Sequence, residues 1–220
     1  ERVEEYTGIR CTDLWIGTFH SLCVRILKAD GYRLGYDRYF TIYDASDQLA
    51  LIKRVLKENE IDERTMAPRA VHTKISRYKN ACITPEEARN TAKGFYDQEL
   101  CRIYKLYQNA LFSLQAMDFD DLLTNTVSVF RDYPDALRRY QTMFAYVLVD
   151  EYQDTNIAQF KLIQYLAQAH GRIFVVGDDD QSIYGWRGAH IENILSFSKT
   201  FKHTRVFTLE ENYRSPSPVL

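Results

Sequence analysis

The chain has 220 residues and a formal net charge of −2; 45% of its residues are hydrophobic and 26% are charged. These values fit one large globular domain or two small ones, and they exclude an intrinsically disordered chain. The near-neutral charge argues against a protein that holds nucleic acid mainly by bulk electrostatic attraction. No apolar run approaches the roughly 20 residues that span a bilayer, so we expect no membrane association and a cytoplasmic location. The four scattered cysteines predict reduced thiols and no zinc site.

The first half of the chain reads mainly as helices. A helix is predicted to begin at Thr18, because apolar residues follow it at helical spacing. From about residue 43 to residue 115 the spacing is helical throughout. Asp44 or Ser46 is expected to cap one helix, and Thr84 followed by Pro85 predicts the start of another.

The second half alternates between strands and helices, which predicts a parallel sheet covered on both faces. The fold class is therefore α/β. The sheet domain is expected to comprise residues 1–42 and 116–220, with an all-helical insert at residues 43–115. The predicted strands are residues 144–149, 173–176 and 205–209, and the predicted helices are residues 156–169 and 191–201.

Polar residues follow each predicted strand, at the sheet edge where ligands of parallel sheets gather. Asp150 and Glu151 come directly after the first strand. In a nucleotide hydrolase one such carboxylate holds Mg²⁺ and its neighbour activates the attacking water. Taken alone, such a pair is more often a solvated strand end or a helix cap.

The clusters after the second and third strands also have two readings. Gln181 suits the sensing of a phosphate, and Tyr184 and Trp186 suit stacking on bases, although these aromatics would also form an ordinary core. Arg214 suits stabilisation of a transferring phosphoryl group, or else a surface salt bridge.

Five segments, taken in order, resemble the consecutive motifs of the UvrD/Rep/PcrA family of superfamily 1 DNA helicases. The resemblance implies a RecA-like parallel sheet of the P-loop NTPase type, interrupted by a helical subdomain that helps to hold duplex DNA. It also implies ATP-driven, 3′-to-5′ movement on single-stranded DNA and unwinding of the duplex. The segments are residues 17–22 (Gly-Thr-Phe-His-Ser-Leu), 118–123 (Asp-Phe-Asp-Asp-Leu-Leu), 150–156 (Asp-Glu-Tyr-Gln-Asp-Thr-Asn), 177–188 (from Gly-Asp-Asp-Asp-Gln to Trp-Arg-Gly) and 212–215 (Asn-Tyr-Arg-Ser).

The resemblance implies ATP and Mg²⁺ as cofactors and assigns roles at the nucleotide. Asp150 would bind Mg²⁺ and Glu151 would activate water. Gln181 would contact the γ-phosphate, Arg214 would act as an arginine finger, and Tyr213 would stack on the adenine.

The resemblance also implies contacts with single-stranded DNA and with single-strand/duplex junctions. Thr18, Phe19 and His20 would touch the strand. Tyr184 and Trp186 would stack on its bases, and Arg187 would couple the DNA site to the nucleotide site. Repair or replication proteins are possible further partners.

A basic stretch lies inside the predicted helical insert. Residues 64–79 contain five cations and neither Asp nor Glu. We interpret it either as a surface for duplex phosphates or as a solvated helix face. The cations are Arg64, Arg69, Lys74, Arg77 and Lys79.

The sequence departs from the family in one respect. None of the nine glycines has a second Gly five residues later followed by Lys, so the phosphate-binding loop is missing from this chain. Because the chain also lacks an initiator Met and stops where an apolar stretch begins, we expect an internal segment of a longer helicase. The segment alone is expected to be inactive.

Three alternatives stay open. The chain could be a non-catalytic DNA- or protein-binding module that retains helicase motifs. It could be a metal nuclease that uses Asp150, Asp178, Asp179 and Asp180 around two metal ions. It could also belong to a helicase motor of the RecB/AddA recombination type.

Overall fold

A computed structural model describes residues 2–8, 10, 14–181, 192–209 and 211. The described helices are α1 (Arg2–Thr7), α2 (Phe19–Asp30), α3 (Ala45–Glu58), α4 (Pro68–Asn80), α5 (Pro85–Thr91), α6 (Gly94–Ser113), α7 (Phe119–Asp132), α8 (Pro134–Met143), α9 (Ile157–Ala167), α10 (Glu192–Leu195) and α11 (Phe197–Thr200). The described strands are β1 (Thr41–Tyr43), β2 (Ala116–Asp118), β3 (Val147–Val149) and β4 (Ile173–Val175).

The helix starts follow local capping chemistry, as the sequence predicts. Thr18 caps α2, and its Oγ1 accepts a hydrogen bond of 3.3 Å from the Ser21 backbone N–H. Asp44, Thr84 and Asn156 begin α3, α5 and α9 with reciprocal capping boxes. Each such cap typically contributes about 1 kcal/mol, because it satisfies backbone N–H groups that have no partner within the helix.

The strands form two separate parallel pairs. In one pair, β1 runs beside β2 with Thr41 opposite Ala116; in the other, β3 runs beside β4 with Val147 opposite Ile173. The β1–β2 pair therefore brings the two ends of the helical stretch α3–α6 together. The parallel pairing confirms the α/β class, while the division into three segments stays a prediction.

Three details of the predicted sheet are wrong. The strand predicted for residues 144–149 begins only at Val147. Leu148 is 73% exposed and Phe174 is 58% exposed, because no described element covers that face of β3 and β4. The described residues 204–209 have no regular secondary structure, so their strand propensity finds no partner strand.

Two apolar clusters support the helices. One lies among α2, α7, α8 and α9 and includes Leu27 and Phe130. The other lies among α3, α4 and α6 and includes Ile52 and Ile103. Burying a side chain of this size contributes roughly 1.5–3 kcal/mol, so each cluster is a core in its own right. Among the described helices, none is long and apolar enough to cross a membrane.

Candidate functional site

A cleft of about 410 Å³ opens at the carboxyl end of β3. Its lining includes Thr18 and His20 from the start of α2 and Asp150 and Glu151 from the end of β3. The exposed face of Leu148 belongs to its apolar wall. The fold thus brings together two of the segments that the sequence singles out, although 127 residues separate them in the chain.

The backbone at the acidic pair is strained. Asp150 and Glu151 are both exposed, and the Asp150 Oδ1 accepts a hydrogen bond of 2.9 Å from the Glu151 N–H. Glu151 has a φ of 50° and a ψ of 44°, in the left-handed region that glycine favours. Such a conformation costs of order 1 kcal/mol and persists at functional sites where the surrounding contacts enforce it.

The donor set at Asp150 fits Mg²⁺. This ion usually takes one or two carboxylates and completes its shell with water and phosphate oxygens. Asp150 supplies an exposed carboxylate at the strand end, and the carboxylates of Glu151 and Asp154 line the same cleft. Asp150 would hold the ion, which would screen the charge of the phosphates when bound.

Gln181 lies after β4, in a short turn held by Asp178. The Gln181 Nε2 donates a hydrogen bond of 2.6 Å to the Asp178 Oδ2, and the Asp180 N–H donates one of 3.1 Å to the Asp178 Oδ1. Both oxygens of Asp178 are therefore engaged within the turn. Among the described residues no group of three or more His, Cys, Asp or Glu side chains is placed to share a metal ion.

Of the six residues predicted to bind DNA, the three that the structure describes differ in exposure. Thr18 is exposed. Phe19 is half-buried and packs against the cluster among α2, α7, α8 and α9 and against a third, smaller cluster at β3 that includes Val149 and Tyr152. The His20 ring meets the Phe119 ring edge-on at 5.6 Å between centroids, and burial lowers the pKa of His20 below its usual value. The contact of all three with DNA stays a prediction.

Five predicted site residues lie outside the described residues, so their roles also stay predictions. They are Tyr184, Trp186, Arg187, Tyr213 and Arg214.

Lys79 occupies a buried ion cluster, so the interpretation that it meets duplex phosphates is wrong. Its side chain is 1% exposed, and its Nζ lies 2.6 Å from the Asp118 Oδ2 and 2.8 Å from the Asp121 Oδ1. Tyr107 donates a further hydrogen bond to Asp118, and Gln108 donates one to Asp121. The cluster joins α4 and α6 to the start of α7.

A chain of amides continues from this cluster towards the cleft. The Asn80 Nδ2 donates a hydrogen bond of 3.0 Å to the Asp120 Oδ1. The Asn156 Nδ2 in turn donates to the Asn80 Oδ1, and Asn156 is the residue that caps α9. Since Asn156 follows the acidic segment 150–154, the end of α4 contacts the cap of the helix that comes after this segment.

The cluster makes folding stability depend on pH. Burial, reinforced by the Asp118 carboxylate, raises the pKa of Asp121 to about 7. Burial also raises the pKa of Asp118, but Lys79 outweighs it, so the net pKa of Asp118 is lowered. Because folding raises the pKa of Asp121, its contribution to stability is complete below about pH 4 and is lost as the pH rises through about 7. Asp118 affects the pH dependence of stability only at lower pH, because its pKa is lowered.

We expect Asp121→Asn to flatten the pH dependence of stability between pH 5 and pH 8. The wild-type free energy of unfolding should fall across this window relative to that of the variant, although the variant loses one capping bond. Urea unfolding of both proteins at four pH values measures the difference. His20, which acts in the opposite direction, is present in both proteins and cancels. Parallel curves for the two proteins would rule out Asp121 as the titrating group.

The sequence interpretation assigned no role to two residues at the site, Gln153 and Asp154. Gln153 is 1% exposed and hydrogen-bonds Glu151, although the sequence shows it only as a neighbour of the acidic pair. Asp154 lines the cleft, and its Oδ1 is buried without a hydrogen-bond partner in the described part of the chain. Burial raises the pKa of Asp154, and Glu151 adds to this effect. The run of polar residues immediately after a predicted strand was the sequence signal that could have identified both residues as part of the site.

The geometry defines an α/β protein with an acidic cleft at the carboxyl edge of a parallel strand pair. The family model of the UvrD/REP helicase N-terminal domain matches residues 1–202, and the chain belongs to that family. The chain is 48% identical over 220 residues to the ATP-dependent DNA helicase PcrA of Bacillus subtilis. It is 47% identical over 219 residues to PcrA of Staphylococcus epidermidis and 46% identical over 220 residues to PcrA of Staphylococcus aureus. Each match covers 100% of this chain and 30% of the relative.

Proposed function

We propose that the full-length protein that contains this chain is an ATP-dependent DNA helicase. It would couple Mg-ATP hydrolysis to 3′-to-5′ movement on single-stranded DNA and to duplex unwinding. The observation that carries the proposal is the cleft that unites Thr18 and His20 with Asp150 and Glu151. The similar PcrA proteins are named as ATP-dependent DNA helicases, which supports it.

The proposed roles fall to residues that line the cleft and to Gln181, which lies after β4. Asp150 would hold Mg²⁺, and Glu151 would orient the attacking water and take its proton. Gln181 would contact the γ-phosphate. Thr18, Phe19 and His20 would contact the DNA strand at the mouth of the same cleft.

The residues outside the described part complete the proposed site. Arg214 would stabilise the charge that develops on the transferring phosphoryl group. Tyr213 would stack on the adenine, Tyr184 and Trp186 would stack on bases, and Arg187 would couple the two sites. With this function we expect a cytoplasmic location. The expected partners are single-strand/duplex DNA junctions and repair or replication proteins.

The experiment that tests the proposal measures ATP hydrolysis by the full-length protein in Mg²⁺, with and without single-stranded DNA. Strong stimulation by DNA is the expected result. The isolated chain, which lacks the Gly-x-x-x-x-Gly-Lys loop, should hydrolyse little ATP and unwind nothing. A well-folded full-length protein without DNA-stimulated hydrolysis would leave a non-catalytic binding module as the better description.

The exposed face of α4 is the proposed duplex contact. Arg69, Lys74 and Arg77 are the cations proposed to form it, whereas Lys79 points into the buried cluster and Arg64 pairs with Asp62. Cations on one helix face can neutralise backbone phosphates without reading the bases.

We expect the double charge reversal Arg69→Glu/Arg77→Glu to weaken binding of the full-length protein to a duplex–single-strand junction. The slope of log affinity against log salt should shrink by about 2, roughly one for each phosphate that is no longer neutralised. Binding to single-stranded DNA alone should change little. The matched control is Lys53→Glu/Lys57→Glu on α3, where both lysines are exposed. Equal reductions in affinity for the two double variants would point to net charge rather than to the α4 face.

A further inference from the structure

Gln153 makes two hydrogen bonds although it is almost completely buried. Its side-chain Nε2 donates to the Glu151 Oε2 at 2.8 Å, and its Oε1 accepts from the Asp178 backbone N–H at 3.0 Å. The residue is 1% exposed. An amide in this position has little freedom to turn, because each end is held by a partner of the opposite hydrogen-bonding type.

The two bonds connect the ends of β3 and β4. On the β3 side the partner is the carboxylate of Glu151, whose backbone is held in the left-handed region. On the β4 side Asp178 also holds the Gln181 side chain, at 2.6 Å between the Asp178 Oδ2 and the Gln181 Nε2. A continuous chain therefore runs Glu151–Gln153–Asp178–Gln181 and joins the two side chains proposed to act on the γ-phosphate and its attacking water.

Gly177 leaves the space that this arrangement needs. A Cβ at position 177 would lie 2.7 Å from the Gln153 Oε1 and 2.9 Å from the Ile194 Cδ1. The φ of Gly177 lies outside the left-handed region, so its backbone is open to any residue. Its lack of a side chain therefore serves the packing of Gln153 and Ile194.

We propose that Gln153 is a positioning residue for ATP hydrolysis, which fixes the Glu151 carboxylate and links it to the loop that carries Gln181. This inference rests on the proposed function. In this role Gln153 touches neither nucleotide nor water. It holds the Glu151 carboxylate in the orientation that reaches the attacking water. If the Gln153 amide is displaced, the Glu151 carboxylate is therefore misplaced relative to that water.

Two substitutions disturb this link from opposite sides. Gln153→Met keeps the length of the side chain but removes the donor to Glu151 and the acceptor for Asp178. Gly177→Ala leaves the chemistry of Gln153 intact and displaces its amide, together with the end of the Ile194 side chain. In the full-length protein, both should lower kcat for DNA-stimulated ATP hydrolysis by about ten- to a hundredfold. The KM for ATP should stay within about twofold, since neither residue is proposed to contact the nucleotide.

The controls match each chemical change. Gln164→Met alters an exposed glutamine on α9. Gly31→Ala adds a Cβ whose nearest neighbours lie at 3.8 Å, an ordinary contact. Both should keep wild-type kcat, and thermal unfolding of all four variants measures whether the fold is intact.

The outcomes separate the inference from the proposed function. A lower kcat in both test variants, with KM and Tm near wild type, supports the positioning role. Wild-type kcat in Gln153→Met overturns it, as does a joint reduction of kcat, affinity and Tm in both variants, which indicates a purely structural role. Absence of DNA-stimulated hydrolysis in the folded wild-type protein overturns the proposed function, and this inference falls with it.

Discussion

Glu151→Gln is expected to lower kcat for DNA-stimulated ATP hydrolysis in the full-length protein by about 10²–10⁴-fold, the usual contribution of a general base. Glutamine keeps the size of the side chain and an acceptor for the Gln153 amide, but it cannot take a proton from water. The geometry at the end of β3 should therefore survive while the chemistry stops. The KM for ATP should change little, because Asp150 and the phosphate contacts are untouched.

Steady-state hydrolysis with saturating single-stranded DNA measures this effect. The matched control is Glu63→Gln, an exposed glutamate between α3 and α4, which should retain full activity. Binding of DNA by the Glu151→Gln protein should be preserved, since the substitution affects the proton transfer alone. A variant that keeps more than a tenth of the wild-type kcat would remove Glu151 from the role of general base.

Lys79→Met is expected to lower the free energy of unfolding by about 3–5 kcal/mol, as the removal of one partner from a buried ion cluster typically does. The Asp118 and Asp121 side chains are each 3% exposed, and the substitution leaves them without a cation. Burial lowers the pKa of Lys79, but the Asp118 and Asp121 carboxylates outweigh it and raise the pKa above its usual value, so the amine is charged in the native state. A reduction of this size is a large fraction of the stability of a typical domain.

Urea unfolding followed by circular dichroism measures the reduction. Lys74→Met, on the exposed side of the same helix, is the matched control and should change stability by no more than about 0.5 kcal/mol. Adding Asp121→Asn to Lys79→Met should restore part of the stability, because one uncompensated carboxylate disappears. If Lys79→Met proves as mild as Lys74→Met, the ion cluster contributes little to stability.

Local chemistry explains which helices could be predicted from the sequence. Thr18, Asp44, Thr84 and Asn156 are all observed as helix caps, because a side-chain oxygen at the N-cap bonds backbone N–H groups only a few residues away. The acidic pair Asp150–Glu151 could be located for a related reason. A strand places whatever follows it at the edge of the sheet.

Features that depend on distant partners could not be predicted in this way. The sequence carries no sign that the three-residue strand β1 pairs with β2, since so short a strand has no readable alternation. Lys79 looks like part of a basic surface until Asp118 and Asp121, about forty positions further on, are seen beside it. The strand predicted at residues 205–209 is wrong because strand propensity is a local property, whereas a strand also needs a neighbouring strand to pair with. No such neighbour is found among the described residues.

The β1–β2 pair has a consequence for how this architecture can vary between proteins. The helices α3–α6 begin after β1 (Thr41–Tyr43) and end before β2 (Ala116–Asp118), which lies beside β1. Because the two ends of this segment are adjacent, its helices could be exchanged for others without stretching the backbone. The exchange would nevertheless remove Lys79 and leave Asp118 and Asp121 buried as uncompensated carboxylates. Any substitute segment must therefore deliver a cation to the same point or be accompanied by neutral residues there.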